Sequence, residues 1–176
     1  MRWLTSLFKS TNPHRQAERL VDRGLGYVRE GQTAKALTIA RYLHELRHSG
    51  GFEVEAQALA RDGAKDQAIA VLENGLEVAP TSWLNANLLG NYLSDQARYD
   101  EAFDAYDRAM AIPGANRALI ESNRALALQR SGRPDEAREK IAAILASGVP
   151  DDDPGLFEFI EGLRSDLEMP QSLARQ

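Results

Sequence analysis

Residues 87–113 read NLLGNYLSDQARYDEAFDAYDRAMAIP. The stretch holds two apolar patterns joined by a polar link. In the first, Leu89, Gly90 and Leu93 recur at helical spacing. In the second, Ala102, Tyr106 and Ala109 do so, and Pro113 stops the helix they form. Small residues at fixed places let two short antiparallel helices approach closely, while larger residues fill the space between them. One such pair cannot bury its own apolar face and needs neighbours of the same kind.

The chain supplies those neighbours. REGQTAKAL, RDGAKDQAI, DQARYDEAF and RSGRPDEAR each carry a short polar link and then an alanine that opens an apolar pattern. The alanines are Ala36, Ala68, Ala102 and Ala137, spaced by 32, 34 and 35 residues. Twelve residues before each stands a small residue: Gly24, Ala56, Gly90 and Ala125. Three residues further on come Tyr27, Leu59, Leu93 and Leu128. Four after each alanine come Ala40, Leu72, Tyr106 and Ile141.

On these residues the chain resembles the tetratricopeptide repeat (TPR) family over about residues 17–150. Leu89, Gly90, Leu93, Ala102, Tyr106, Ala109 and Pro113 fall on or beside the family's signature sites. The second repeat, GAKDQAIAVLENGLEVAP, matches in its second helix, and the first and fourth are more degenerate. The resemblance implies an all-α, right-handed helix-turn-helix solenoid of about four helix pairs. The repeats span about 13–48, 49–81, 82–115 and 116–150.

Asn12 is the expected cap of a first helix with Pro13 in its first turn, running to about Glu30. Thr33 is the expected cap of the next, to about Arg47. Further helices are expected near 50–62, 65–78, 82–95, 98–112, 115–131 and 134–146, the last opening at Pro134. A capping helix is expected over 151–168, with Asp153 as cap and Pro154 as first residue. Leu156, Phe157, Ile160, Leu163 and Leu167 form its apolar stripe. Residues 169–176 read as a flexible tail.

At 43% hydrophobic residues the chain has enough for a packed core. A net charge of −5 speaks against a general nucleic-acid binder, which needs a basic face for phosphates. No cysteine is present, which removes disulfides, cysteine zinc sites and thiol catalysis. MRWLTSLFKS opens the chain and is interrupted by Thr5, Ser6 and Lys9, too short an apolar run for a signal peptide. No run approaches the roughly 20 apolar residues of a membrane span. A soluble, cytoplasmic protein is the expectation. Within residues 1–12, Trp3, Leu4, Leu7 and Phe8 share one side of a helical projection beside Arg2 and Lys9. The segment reads as amphipathic or flexible, with weak membrane-surface contact as its functional reading.

Residues 44–48, HELRH, match the H-E-x-x-H pattern of zinc metallopeptidases. On one helix, His44 and His48 would share a face. The rest of such a site is missing. Val54 occupies the place of a third ligand, the only other histidine is His14, and Glu73 has no reason to converge. The repeat register aligns His44 with Leu76, Met110 and Leu145, an apolar column, so it reads as a partly buried, hydrogen-bonded histidine. His48 aligns with Pro80, Gly114 and Val149 and reads as a helix C-terminal residue, favourable there when charged. No catalytic residue, metal or cofactor is expected. The acidic run Asp151-Asp152-Asp153 lacks calcium-loop spacing.

The resemblance also implies that the first helix of each pair lines a concave surface. By register its exposed sites include Glu53, Gln57, Arg61, Asn87, Asn91, Asp95, Ser122, Asn123, Gln129 and Arg130. Asn91 and Asn123 match two asparagines of the family's carboxylate-clamp subset. Asn87 stands where that clamp has a lysine, and Asp153 and Phe157 stand at its later basic sites. A general peptide groove is therefore expected, formed by Gln57, Arg61, Asn87, Asn91, Asn123 and Arg130. An asparagine amide both donates to and accepts from a peptide backbone. The function implied is non-catalytic: a scaffold binding an extended peptide or helix of another protein. A membrane-associated assembly factor docking through residues 1–12 ranks second, and a zinc peptidase using HELRH third. Self-association is a further partner reading.

Overall fold

The computed structural model describes residues 13–148 and 154–168. The readings made of residues 1–12, of the 151–153 run with its Asp153 cap, and of the tail 169–176 lie outside them. The described secondary structure is helical. It comprises α1 (Pro13–Arg29), α2 (Thr33–Glu45), α3 (Gly50–Arg61), α4 (Lys65–Val78) and α5 (Trp83–Asp95). There follow α6 (Tyr99–Ala111), α7 (Arg117–Arg130), α8 (Pro134–Ser147) and α9 (Pro154–Glu168). None of these helices is long and apolar enough to cross a membrane.

The same backbone turn closes each helix pair. After α1, the Gln32 N–H donates to the Tyr27 carbonyl at 2.8 Å. After α3, α5 and α7, Ala64, Arg98 and Arg133 donate to Leu59, Leu93 and Leu128, each at 2.9 Å. The residue before each donor is left-handed: Gly31, Gly63, Ala97 and Gly132, with φ of 70°, 84°, 59° and 82°. This closure satisfies the last carbonyls of the first helix and turns the chain back along it. The next helix then starts on the donor itself. Gln32, Ala64, Arg98 and Arg133 offer their carbonyls to the N–H groups of Ala36, Ala68, Ala102 and Ala137. Those four alanines are fully buried, because a larger side chain there would push the paired helices apart.

The turn explains one departure from the expected caps. Gln32, not Thr33, is the cap residue of α2, and it makes no side-chain cap bond. Thr33 is already helical, and its hydroxyl donates to the Asp62 carboxylate at 2.7 Å, tying two turns together. Where the turn is absent, side chains cap: Asn116 Oδ1 accepts from the Leu119 N–H at the start of α7, and Ser82 Oγ accepts from the Asn85 N–H at a longer 3.4 Å at the start of α5.

The chain forms two compact units, one ending at Asn85 and one beginning at Ala86. In the first, Leu20, Val28, Ile39, Ala40, Leu43, Val54 and Ala58 make the core of α1, α2 and α3. Gly24 sits at a close approach, where a β-carbon would fall 2.7 Å from Val54. In the second, Leu128, Ile141 and Ile144 of α7 and α8 pack with Leu156, Ile160, Leu163 and Leu167 of α9. The last helix therefore covers apolar surface that the fourth pair leaves open. At ~1.5–3 kcal/mol per fully buried Leu or Ile, that cover is a large part of the unit's stability. Phe157 departs from the expected stripe: it is 49% exposed, and Phe159 packs instead. Phe157→Ser is accordingly expected to shift the thermal midpoint by no more than about 0.5 kcal/mol allows. A loss as large as that of a core residue would show that Phe157 is covered in solution.

Candidate functional site

The histidine motif does not lie on one helix. Helix α2 ends at Glu45, and Arg47 is left-handed at φ 54°. The His48 N–H closes back on the Leu43 carbonyl at 2.9 Å. His48 therefore sits beyond the helix in a turn, which corrects its reading as a C-terminal helix residue that favours charge. Its Nδ1 accepts from the Gly50 N–H at 3.2 Å, and desolvation and nearby His14 lower its pKa against an opposing pull from Glu18. His44 is partly buried, with Nε2 2.7 Å from Glu55 Oε2 and its ring 4.5 Å from that of Phe52. The i,i+4 geometry that a zinc pair requires is broken by the turn between them. Glu73 is exposed on α4, and among the described residues no three potential ligands gather.

In the second unit a ladder of polar side chains joins α5 to α6 and α7. Asn123 Nδ2 donates to Asn87 Oδ1 at 3.0 Å. Tyr106 of α6 donates its hydroxyl to Asn91 Oδ1 at 2.9 Å. Arg130 Nη1 pairs with Asp95 at 2.8 Å, both partly exposed. Tyr106 is nearly fully buried, and burial pushes its phenol pKa well up, so it remains a donor. The ladder engages Asn91 through its oxygen and Asn123 through its nitrogen. Both residues are partly exposed.

Asn87 is 2% exposed, which corrects its place among exposed groove residues. Glu53 and Ser122 are buried too, at 7% and 0%. These three share one register position, fifteen residues before the signature alanine. Each lies on a first helix where it packs on a neighbouring helix, so the column is interhelical rather than solvent-facing. Its polar atoms are accordingly bonded within the fold, with Ser122 Oγ donating to the Ala118 carbonyl at 2.6 Å.

In the first unit Gln57 donates to Glu53 Oε1 at a long 3.4 Å. Arg61 is exposed, and its guanidinium lies 3.5 Å from where a β-carbon on Gly31 would sit, over the first turn. The feature that register alone missed is a cleft of about 350 Å³ lined by Glu18, Asp22, His48, Glu53, Trp83 and Asn85, among others. Glu53 has no cationic partner among the described residues. Burial first, and the charge of Asp22 second, raise its pKa to about 7. The run of carboxylates on α1 and α3 was visible in the sequence, but not their meeting with the start of α5.

No protein-family model matches the chain, and no curated protein matches it. Solved structures do. A thermophilic TPR protein of Thermus thermophilus superposes with a TM-score of 0.70 at 22% identity, covering 84% of this chain and 80% of that one. PilF of Pseudomonas aeruginosa gives 0.67 at 20% identity, over 85% and 68%. MamA of strain AMB-1 gives 0.58 at 19% identity, over 85% and 91%. The chain has the fold of these proteins, an all-α helix-turn-helix solenoid of the tetratricopeptide type.

Proposed function

We propose, from the tetratricopeptide-repeat fold of this chain, that it is a non-catalytic binding module for another protein. The α5–α7 face of the second unit holds an extended segment or a helix of that partner. The supporting observation is the ladder Asn123–Asn87, Tyr106–Asn91 and Arg130–Asp95. Side chains already held by neighbours lose little freedom on binding, so more of the contact energy appears as affinity. Asn91 supplies N–H donors and Asn123 a carbonyl acceptor, the pair that a peptide backbone requires. Arg130 exchanges Asp95 for an acidic group on the partner. Asn87 supports this face from beneath by fixing Asn123. Gln57 and Arg61 belong to the first unit and offer a polar contact surface of its own there.

The test is capture of a partner from native-host lysate on immobilised protein, with an Asn91→Ala/Asn123→Ala variant alongside. Asn91→Ala also strips the buried Tyr106 hydroxyl of its acceptor, so Asn91→Asp is run as well; it keeps that acceptor and removes the donors. Circular dichroism confirms that each variant is folded. A partner retained by the wild type should lose about tenfold or more in affinity, at ~1 kcal/mol for each hydrogen bond removed. Undiminished capture by folded variants would show that the α5–α7 face is not the binding surface.

A further inference from the structure

The joint between the first two helix pairs is held by an ionisable ring. The chain turns there at Arg47, a non-glycine residue in the left-handed region, a conformation that an L side chain adopts at a cost. The Arg47 N–H donates to the His44 carbonyl and the His48 N–H to the Leu43 carbonyl, each at 2.9 Å. Helix α3 then begins at Gly50, and Ser49 at its cap position makes no side-chain cap bond. The first N–H groups of a helix have no partner within it. That of Gly50 goes to His48 Nδ1 at 3.2 Å. Gly50 is buried, and a β-carbon on it would run into Val21 of α1 and the His48 ring. Without its acceptor this N–H would be a buried donor left unpaired, which is costly.

An imidazole nitrogen accepts only while it carries no proton. The bond therefore requires neutral His48 with its hydrogen on Nε2. Protonation puts a hydrogen on Nδ1, so that a donor faces a donor, and sets a positive charge at the positive end of α3. The groups around the ring offset this little. From α1, His14 meets it edge-on at 6.0 Å, and Glu18 is paired with His14 at 3.3 Å. Asp22 of α1 and Glu53 of α3 line the same cleft as His48. Burial raises the Glu53 pKa to about 7, so Glu53 is largely neutral where His48 would charge. Glu45 and Arg47, at the end of α2 and in the turn, are exposed. Residues 81–85, which line the cleft from the start of α5, hold no ionisable side chain. On the far side of Gly51, His44 pairs with Glu55 at 2.7 Å.

We propose that the α2–α3 joint is an acid-sensitive latch, closed by neutral His48 and opened, with release of the first turn of α3, when the imidazole takes a proton. The device is particular to this joint. The residues aligned with His48 at the next two joints are Pro80 and Gly114, and neither ionises. The latch goes beyond the reading as a binding module, since it sets a condition under which the first unit keeps its shape.

The chain has three histidines, so NMR of the isotope-labelled full chain can follow each ring separately. At pH 7.5 His48 should carry its hydrogen on Nε2, with none on Nδ1. As pH falls and His48 charges, hydrogen-exchange protection of the Gly50 amide should drop by about tenfold, the scale of a buried donor left without an acceptor. Amides of α7 and α8 should keep theirs. His48→Asn supplies a side-chain oxygen that can accept from an N–H two residues on and does not titrate. Its Gly50 protection should hold across the range. His48→Ala supplies no acceptor, so its protection at pH 7.5 should already match that of the protonated wild type. Circular dichroism at each pH confirms that the variants are folded.

Thermal midpoints give a second readout. Burial first, then His14, lower the His48 pKa from 6.5 against the pull of Glu18. Stability contributed by the neutral ring is therefore complete above the unfolded value and lost as pH falls below it. His48→Asn should accordingly gain on the wild type between pH 7.5 and pH 5. A hydrogen on Nδ1 at pH 7.5, Gly50 protection that stays constant while His48 titrates, or undiminished protection in His48→Ala would each overturn the assignment. A pH response retained in His48→Asn would assign it to another group and overturn it as well. So would unfolding of the whole chain while His48 is still neutral, because the joint would then not be the part that yields.

Discussion

Tyr106→Ala should destabilise the second unit by about 3–5 kcal/mol, the scale for truncating a buried aromatic side chain. Tyr106 is the largest fully buried side chain of the described chain, at 1% exposure. Its ring fills the space above Gly90, where a β-carbon would lie only 2.5 Å from the ring edge. The cavity left by truncation cannot be closed by Gly90, which has no side chain. Tyr106→Phe keeps the ring and removes one hydrogen bond to the half-exposed Asn91, so about 0.5–1.5 kcal/mol is expected. Gly90→Ala should be destabilising alone, yet much less so in the Tyr106→Ala background, because the clash disappears with the ring. Urea denaturation of the four proteins closes this double-mutant cycle. Additive losses would show that the two residues do not touch in solution. With two compact units, the curves should be examined for separate transitions before a single free energy is fitted.

Glu53→Gln is expected to stabilise the protein at pH 8 and to leave it unchanged near pH 4. The Glu53 carboxyl titrates at about 7 in the fold, against 4.5 without its surroundings. Between those values the folded state holds the proton that the unfolded chain has released. Stability contributed by the neutral acid is therefore complete below the unfolded pKa and is lost as pH rises through the folded one. A displacement of this size corresponds to about 3 kcal/mol. Glutamine has the same shape and never ionises, so the difference between variant and wild type should open between pH 5 and pH 8. Thermal midpoints measured across that range test it. A difference constant with pH would mean that Glu53 ionises in the fold at its ordinary value.

The periodic part of the fold was legible because it depends on residues that cannot be exchanged. Ala36, Ala68, Ala102 and Ala137 mark the start of every second helix, and all four are fully buried. Gly24 and Gly90 mark close approaches. What could not be read depends on rotation about a helix axis by less than one residue. Glu53, Asn87 and Ser122 are polar, and polarity suggested solvent, but their column faces another helix. Phe157 and Phe159 differ by two positions, about 160° apart on a helix with 3.6 residues per turn, and only packing decided between them. His48 was placed on the helix for a local reason: α2 stops two residues before Arg47, which turns left-handed. No glycine stands at that position to announce the turn. Of the proposed groove, the partial exposure of Asn91 and Asn123 was legible from register, whereas the acidic cleft required three elements to meet.

The turn between paired helices uses only main-chain bonds and one left-handed residue, and Ala97 performs it where the other three repeats have glycine. Its closure therefore asks almost nothing of the side chains around it. Such a module can be copied, and the copies can then drift apart in composition while each still folds back at the same place. The first and fourth repeats, with the weakest likeness to the pattern, keep that closure unchanged. Across the four repeats one gesture of the backbone is kept, while the vocabulary written on their surfaces differs.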